Sequence, residues 1–454
     1  MQPLANDTIA APATPPGRGG IGIIRVSGSL AIKILEQIIH KTAPPPNQAI
    51  YTKFYDNHNE VIDMGLILFF VGPHSFTGED VVEFQGHGGP VVIDCLLRRI
   101  LQLGARLAKP GEFSERAFLN DKLDLVQAEA IADLIDAASE QALKSAMRSL
   151  QGEFSKRIEE VLSELIYLRI YVEAAIDFPE EEIDFLGEGI AAEKLIEIIN
   201  KLTLLLETAT QGVRLRDGLS VVIVGKPNAG KSSLLNQLTG RETAIVTEIA
   251  GTTRDLLREQ ILLEGIPLHI TDTAGLRESS DIVEQEGIRR ARAEMDKADL
   301  ILLIVDHTTR DALDLDALLE EYGLENRSVT IVFNKIDLMN KQPELVNNDS
   351  TISQLYLSAK ENLGIELLKQ HLLHKAGVRQ YSEGQCIARL RHLNALIATL
   401  GVVVEAEKNF HQYNQGELLA EDLRSAQQIL GEITGRFTAD DLLGKIFSSF
   451  CIGK

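Results

Sequence analysis

The chain has 454 residues, 44% hydrophobic and 24% charged, a globular composition that excludes disordered, collagen-like and fibrous classes. Its 66 acidic against 45 basic residues give a net charge of −21, which opposes indiscriminate binding to phosphate backbones but leaves room for a local basic site. Three cysteines with no close pair exclude a disulfide scaffold and a four-thiolate zinc site and fit a reducing cytosol.

The N-terminus is polar and proline-rich, without the layout of a signal peptide. The longest apolar runs, residues 66–71 and 300–305, fall far short of the about 18 residues of a membrane span. A cytoplasmic protein of about three domains, with no membrane partner, is expected. Residues 1–120 mix short β-rich runs (21–26, 66–71, 81–84) with glycine and proline clusters, which predicts an α+β domain. From about Leu123 the period turns helical: Ile131, Leu134, Ile135, Ala138, Ala142, Ala146 and Leu150 recur every three or four residues, and Gly152 stands where a C-cap belongs. Phe154, Ile158, Leu162, Leu165, Leu168 and Val172 repeat that spacing, residues 177–184 read as an acidic loop, and another helix follows.

At Leu219 buried-strand runs begin to alternate with helices, at 221–224, 268–271, 300–305, 330–333 and 354–357, the pattern of a parallel sheet with crossover helices. Beyond residue 385 the chain is helical again, and Thr438-Ala-Asp-Asp441 offers a capping-box start for the last helix. The predicted division is therefore an α+β domain at 1–120, a helical domain in two parts at 121–217 and 379–454, and an α/β domain at 218–378 inserted between them.

The chemistry concentrates in the inserted domain. Gly225-Lys-Pro-Asn-Ala-Gly230-Lys231-Ser232 follows an apolar strand and precedes a helix, the context of a phosphate-binding loop. Its glycines turn backbone amides of Asn228, Ala229 and Gly230 toward phosphates, Lys231 reaches the β- and γ-phosphates, and Ser232, followed by Ser233, ligates Mg²⁺. Asp272-Thr273-Ala274-Gly275 ends another strand; Asp272 holds Mg²⁺ through water and the Gly275 amide meets the γ-phosphate. Asn334-Lys335-Ile336-Asp337 offers a carboxylate for N1–H and the 2-amino group of guanine, and Ser358-Ala359-Lys360 reaches the base from its other side, so the ligand is GTP and not ATP. Thr253, in a first-switch segment with Thr252, is a Mg²⁺ ligand in the GTP state.

One position is unusual. Leu276 stands where related enzymes place a water-orienting glutamine, so hydrolysis must use another group, and Glu284 is a carboxylate in the same stretch. The amide oxygen of Asn228 is placed to ligate a monovalent cation beside the phosphates, acting on developing charge as an arginine finger does.

The whole length resembles the bacterial tRNA-modification GTPase family known as MnmE or TrmE. The carrying strings are Pro15-Pro-Gly-Arg-Gly-Gly20, Ser75-Phe-Thr-Gly-Glu-Asp80, Gly86-His-Gly-Gly89, Pro110-Gly-Glu-Phe-Ser-Glu-Arg-Ala-Phe-Leu-Asn-Asp-Lys122, Asp177-Phe-Pro, the nucleotide motifs, and Phe450-Cys-Ile-Gly-Lys454. The resemblance implies an N-terminal α+β domain that dimerises and binds a tetrahydrofolate derivative (5-formyl- or 5,10-methylene-tetrahydrofolate), and a helical domain interrupted by a Ras-like P-loop GTPase domain. It implies a flavin-dependent partner, MnmG, in a heterotetramer or larger assembly. With that partner the family adds an aminomethyl or carboxymethylaminomethyl group to C5 of wobble uridine 34 of certain tRNAs. Carried over by position, the folate residues are Arg25, Glu83, Lys122 and Lys454, the K⁺ ligands are Asn228, Thr247, Ile249 and Thr252, and the catalytic carboxylate is Glu284. Cys451 carries either a role near the folate or that of a small buried hydrophobe.

Two other readings stand beside this one. A GTP-dependent binding switch in ribosome assembly would carry an RNA module, and the two G-x-x-G strings here, 17–20 and 86–89, lack a basic setting. The N-terminal domain can also be read as a dimerisation unit that binds no folate.

Overall fold

The computed structural model describes residues 7–177, 189–239, 258–272, 292–312, 314–324, 327–347, 352–377, 386–413, 415–436, 440–448, 450, 451 and 453. The chain divides into two compact units, one of residues 1–135, 149–202 and 395–454, the other of 136–148 and 203–394.

The first unit begins with strands β1 (Ile9–Pro12) and β2 (Gly19–Ser27), helix α1 (Ala31–Ile39), strands β3 (Ile50–Tyr55), β4 (Val61–Phe70) and β5 (Val81–Gly88), helix α2 (Pro90–Gln102), β6 (Arg106–Leu107) and helix α3 (Glu112–Leu119). The six strands form one sheet in the order β3-β4-β5-β2-β1-β6, antiparallel throughout except for the β1–β6 pair. Side chains alternate across the pleat. Ile24 and Val26 of β2 and Val82 and Phe84 of β5 therefore pack beneath Ile34, Leu35 and Ile38 of α1 and Leu96 and Ile100 of α2. Their neighbours Arg25 and Glu83, paired across β2 and β5, belong to the opposite face. The expected α+β domain is present with longer strands than predicted; β1, β3 and β6 are additions to it.

Helices α4 (Leu125–Ile135), α5 (Glu140–Leu150), α6 (Glu153–Asp177) and α7 (Ile190–Asp217) follow. The run of apolar residues from Ile131 to Leu150 is two helices, broken where the Ser139 hydroxyl accepts the Ala142 amide at 3.1 Å and opens a new N-terminus. Asp124 and Gln127 exchange side chain-to-amide bonds of 2.8 and 3.0 Å, a reciprocal cap that starts α4. Within the first unit Leu125 and Ala128 pack on Phe447 and Phe450. The stripe Phe154, Ile158, Leu162, Leu165 and Val172 of α6 is buried beside the helix Gly416–Gly431, as its spacing predicts. Residues 178–184 of the predicted acidic loop and Thr438 of the predicted capping box lie outside the described residues; the last helix is Asp440–Ser448.

The second unit is built on β7 (Leu219–Gly225), helix α8 (Lys231–Thr239), β8 (Arg258–Leu263), β9 (Ile266–Asp272), β10 (Leu300–Asp306), β11 (Val329–Asn334), β12 (Glu344–Asn347) and β13 (Ile352–Tyr356). Their order is β12-β13-β11-β10-β7-β9-β8. The five inner strands are parallel, as expected, but both edges depart from the prediction: β8 and β12 run antiparallel to β9 and β13. Glu264 and Gly265, with φ of 47° and 85°, make the two-residue turn that folds β8 back onto β9. Along β10, Leu300, Leu302 and Ile304 enter one core and Ile301, Leu303 and Val305 the other. Burial on both faces is why these strands read as unbroken apolar runs.

Candidate functional site

β7 delivers Gly225 to the carboxyl edge of the sheet, in register with Ile304 of β10. The chain then turns through left-handed backbone at Gly225 (φ 148°), Asn228 (φ 61°) and Gly230 (φ 99°), the geometry that gathers successive amides into an anion-binding concavity. α8 starts at once, the Leu234 amide donating to Gly230 O at 2.9 Å, so the positive end of its dipole lies at the loop. Lys231 is buried, and its Nζ donates to Gly225 O (2.9 Å) and Lys226 O (3.0 Å), which spans the loop with the ammonium. Ser232 and Ser233 stand exposed in the first turn, where a hydroxyl suits a hard cation such as Mg²⁺.

The three nucleotide strings meet at one side chain. Asn334, buried at the end of β11, donates from Nδ2 to Ala229 O (2.9 Å), and its Oδ1 accepts the amides of Lys335 (2.8 Å) and Ala359 (2.9 Å). The phosphate loop, the N-K-x-D string and the S-A-K string are thereby tied together. Ser358 is buried and accepts the Glu361 amide at 3.2 Å, whereas Lys360 is exposed. Asp337 sits on a short 3-10 turn with its Oδ1 buried and lacking a hydrogen-bond donor, an acceptor suited to an N–H edge.

Sequence reasoning missed Asp306. It ends β10 opposite Asn334 in register; its Oδ2 accepts Lys335 Nζ at 2.7 Å and its Oδ1 accepts the Thr308 amide (3.0 Å) and hydroxyl (2.7 Å). Burial alone would raise its pKa, but the bonds from Lys335 and Thr308 outweigh that and hold the carboxyl below its ordinary value. An acidic residue closing an apolar strand next to the one that carries N-K-x-D was the available signal. Asp272 ends β9 beside β7, one register step beyond the Val222–Thr271 pair. Its side chain, and all of Thr247, Ile249, Thr252, Thr253, Thr273, Ala274, Gly275, Leu276 and Glu284, lie outside the described residues.

A second candidate site lies on the face of the six-stranded sheet opposite α1 and α2. Arg25 donates from Nε and Nη2 to Glu83 Oε1 at 3.0 and 2.9 Å, and its guanidinium lies 5.4 Å from the Phe76 ring centre. Both residues line a cavity of about 430 Å³ whose walls include Phe76, Ile131, Ile135 and Gly453. Lys122 is not in that wall: it is exposed, and its Nζ donates to Pro73 O at 2.9 Å. Cys451 is exposed, with its carbonyl accepting the Gly111 amide at 3.3 Å, and Lys454 lies outside the described residues.

Beside the cavity is a charged knot that sequence reading also missed. Arg116, 3% exposed, donates to both carboxylate oxygens of Glu79 at 3.0 Å, to Asp7 Oδ1 at 2.9 Å and to Glu112 Oε1 at 3.2 Å. Glu79 in turn accepts the Ser27 hydroxyl at 2.6 Å, and Arg106 pairs with Asp7 and Glu112. Burial raises the Glu112 pKa, and Arg106, the Lys109 amide and Arg116 bring it below the usual carboxylate range. The strings at 75–80 and 110–122 thus hold the loop after β4 in place.

The strand–loop–helix cradle, the Asn334 tie and the open carboxylate of Asp337 define a P-loop GTPase. Residues 8–122 match the family described as GTP-binding protein TrmE N-terminus, and residues 125–451 match the MnmE helical domain. A protein of Hydrogenovibrio crunogenus named tRNA modification GTPase MnmE is 58% identical over 449 residues, 99% of each chain. Proteins of the same name from Stutzerimonas stutzeri and Legionella pneumophila are 56% and 55% identical over 453 and 454 residues, with 99% of this chain and 99% and 100% of theirs covered. The chain belongs to the MnmE family of tRNA modification GTPases. Among solved structures, the G domain of the T. maritima FeoB iron transporter matches 35% of this chain and 98% of its own at 26% identity, with a TM-score of 0.26.

Proposed function

We propose that this chain is a K⁺-activated, Mg²⁺-dependent GTP hydrolase that works as a homodimer in the cytoplasm. With a flavin-dependent MnmG-type partner, it couples turnover to placing a (carboxymethyl)aminomethyl group on C5 of wobble uridine 34 of certain tRNAs. A tetrahydrofolate derivative in the N-terminal cavity supplies the one-carbon unit. The observation that supports the nucleotide part of this reading is the Asn334 tie, which bonds the phosphate loop at Ala229 to Lys335 of the N-K-x-D string and to Ala359 of the S-A-K string.

Within it Lys231 neutralises phosphate charge, Ser232 and Thr253 hold Mg²⁺, and Asp337 accepts from the guanine edge. Asn228, with Thr247, Ile249 and Thr252, holds K⁺, which takes the place of an arginine finger; Glu284 orients water where Leu276 has no polar group. Arg25 and Glu83 suit the folate, a guanidinium for carboxylate and a carboxylate for the pterin's N–H edge, with Lys122 and Lys454 as further contacts and Cys451 beside them. The division into domains at 1–120, 121–217, 218–378 and 379–454 belongs to the same proposal.

GTP turnover in KCl against NaCl tests the cation: the rate should fall sharply in NaCl, and equal rates would remove it. Glu284→Ala should abolish turnover with GTP binding nearly intact; an active variant would remove Glu284 from its role. Mass spectrometry of wobble nucleosides from cells lacking the protein tests the coupling. Unmodified C5 is expected; normal nucleosides together with co-sedimentation on ribosomal particles would favour the ribosome-assembly reading.

A further inference from the structure

We infer that Asp306 is a positioning residue for the guanine site, fixing Lys335 as one wall of the base pocket. This rests on the reading of Asn334–Asp337 as the guanine-binding string, and it adds a residue that no motif contains.

The geometry is that of a side chain pinned at both ends. Lys335 has left-handed backbone, φ 67°, strained for a residue with a Cβ. Its amide is held by Asn334 Oδ1 at 2.8 Å and its Nζ by Asp306 Oδ2 at 2.7 Å. The stem runs between these two anchors, and Asp337 follows two residues on, in the 3-10 turn Ile336–Met339. An untethered lysine would lose rotamer freedom on covering a base, so a tether present beforehand lowers that cost.

The anchor is itself fixed. Asp306 Oδ1 accepts the amide and hydroxyl of Thr308, and Asp306 O accepts the Thr309 hydroxyl at 2.9 Å. Both carboxylate oxygens are therefore engaged. The pair is half-buried, with side-chain exposures of 32% for Lys335 and 26% for Asp306, so solvent screens it only in part. Strand register sets the distance: Asp306 faces Asn334 across β10 and β11, and Ile304, two residues earlier, faces Gly225 of the phosphate loop. One carboxylate thus connects the strand beside the phosphate-loop strand with the base-recognition string.

The test is GDP affinity and GTP kinetics of the full-length protein. Asp306→Asn keeps the shape and the Thr308 acceptor but removes the charge facing Lys335. It should raise the GDP dissociation constant and KM for GTP about tenfold, with kcat changed far less. Asp306→Glu should recover part of the affinity. Lys335→Met should weaken GDP by a similar factor, and the double variant Asp306→Asn/Lys335→Met should be no weaker than the weaker single one, the signature of a shared interaction. Full additivity, or unchanged affinity in Asp306→Asn beside a weakened Lys335→Met, would overturn the inference and leave the guanine reading standing. Unchanged affinity in Lys335→Met would overturn the inference as well, whereas GDP binding no tighter than ADP would instead overturn the guanine reading.

Discussion

Gly230 faces the side-chain amide of Asn334 so closely that a methyl group on its α-carbon would lie well inside contact distance of Nδ2. The missing side chain lets the phosphate loop close on β11. Gly230→Ala must both strain backbone at φ 99° and push Asn334 off Ala229 O, Lys335 N and Ala359 N. Asn334→Ala removes the same bonds without the clash, at about 1–3 kcal/mol for each buried group left unpaired. Both variants should lose GDP binding in a fluorescent-nucleotide titration, with Gly230→Ala at least as damaged.

Asp337→Asn replaces an acceptor by an amide that can present N–H to the same edge. Guanine should bind roughly 10- to 100-fold more weakly, the range for losing a hydrogen bond to a charged group. Xanthine, whose C2 carbonyl accepts, should gain. Competition between GDP and xanthosine diphosphate reads this directly; unchanged preference would remove Asp337 from base recognition.

Gly453 lines the N-terminal cavity with φ of 97°, and a Cβ there would collide with Pro12 O. Gly453→Ala should displace that wall and weaken 5-formyltetrahydrofolate about tenfold or more, roughly 1.4 kcal/mol. GTP turnover of the isolated protein should be retained. Calorimetry with the folate checks it.

Arg116→Ala would leave Glu79, Asp7 and Glu112 facing one another around an empty centre. Breaking a buried pair costs about 3–5 kcal/mol. Arg116→Lys should rescue little, because an ammonium cannot reproduce a fork shared by three carboxylates. Urea unfolding followed by tyrosine fluorescence or circular dichroism should show a lower midpoint for both.

His371 is 3% exposed, with its Nε2 2.8 Å from Thr330 Oγ1. Burial first, then Lys375 and His374, push its pKa down to about 4 from 6.5. The unfolded chain therefore binds this proton more readily. The stability that His371 contributes is complete above pH 6.5, falls as pH drops from 6.5 toward 4, and levels off below that. The total is about 3 kcal/mol. His371→Gln should flatten this part of the stability–pH curve.

How far the sequence could be read depended on what each residue answers to. β10 and β11 are plain in it because both faces are buried. The phosphate loop is plain because its chemistry tolerates one spacing. β1 is Ile-Ala-Ala-Pro, too short and small to show a period; β8 and β12 pair on one side only and carry polar residues that mask alternation. Asp306 and Lys335 are 29 residues apart and meet only through strand register, and the partners of Arg116 come from residues 7, 79 and 112. Such residues look like ordinary surface charge until the fold gathers them. Among the folate expectations, Arg25 and Glu83 share a cavity because antiparallel pairing sets them opposite each other, whereas Lys122 is bonded to the loop after β4.

The first unit takes its polypeptide from 1–135, 149–202 and 395–454, with the second unit's residues 203–394 intervening. During synthesis the apolar stripe of α6 must wait for the helix Gly416–Gly431 while almost 200 intervening residues leave the ribosome. Translation speed and chaperone access over that interval should therefore govern yield more than the finished molecule's equilibrium stability does.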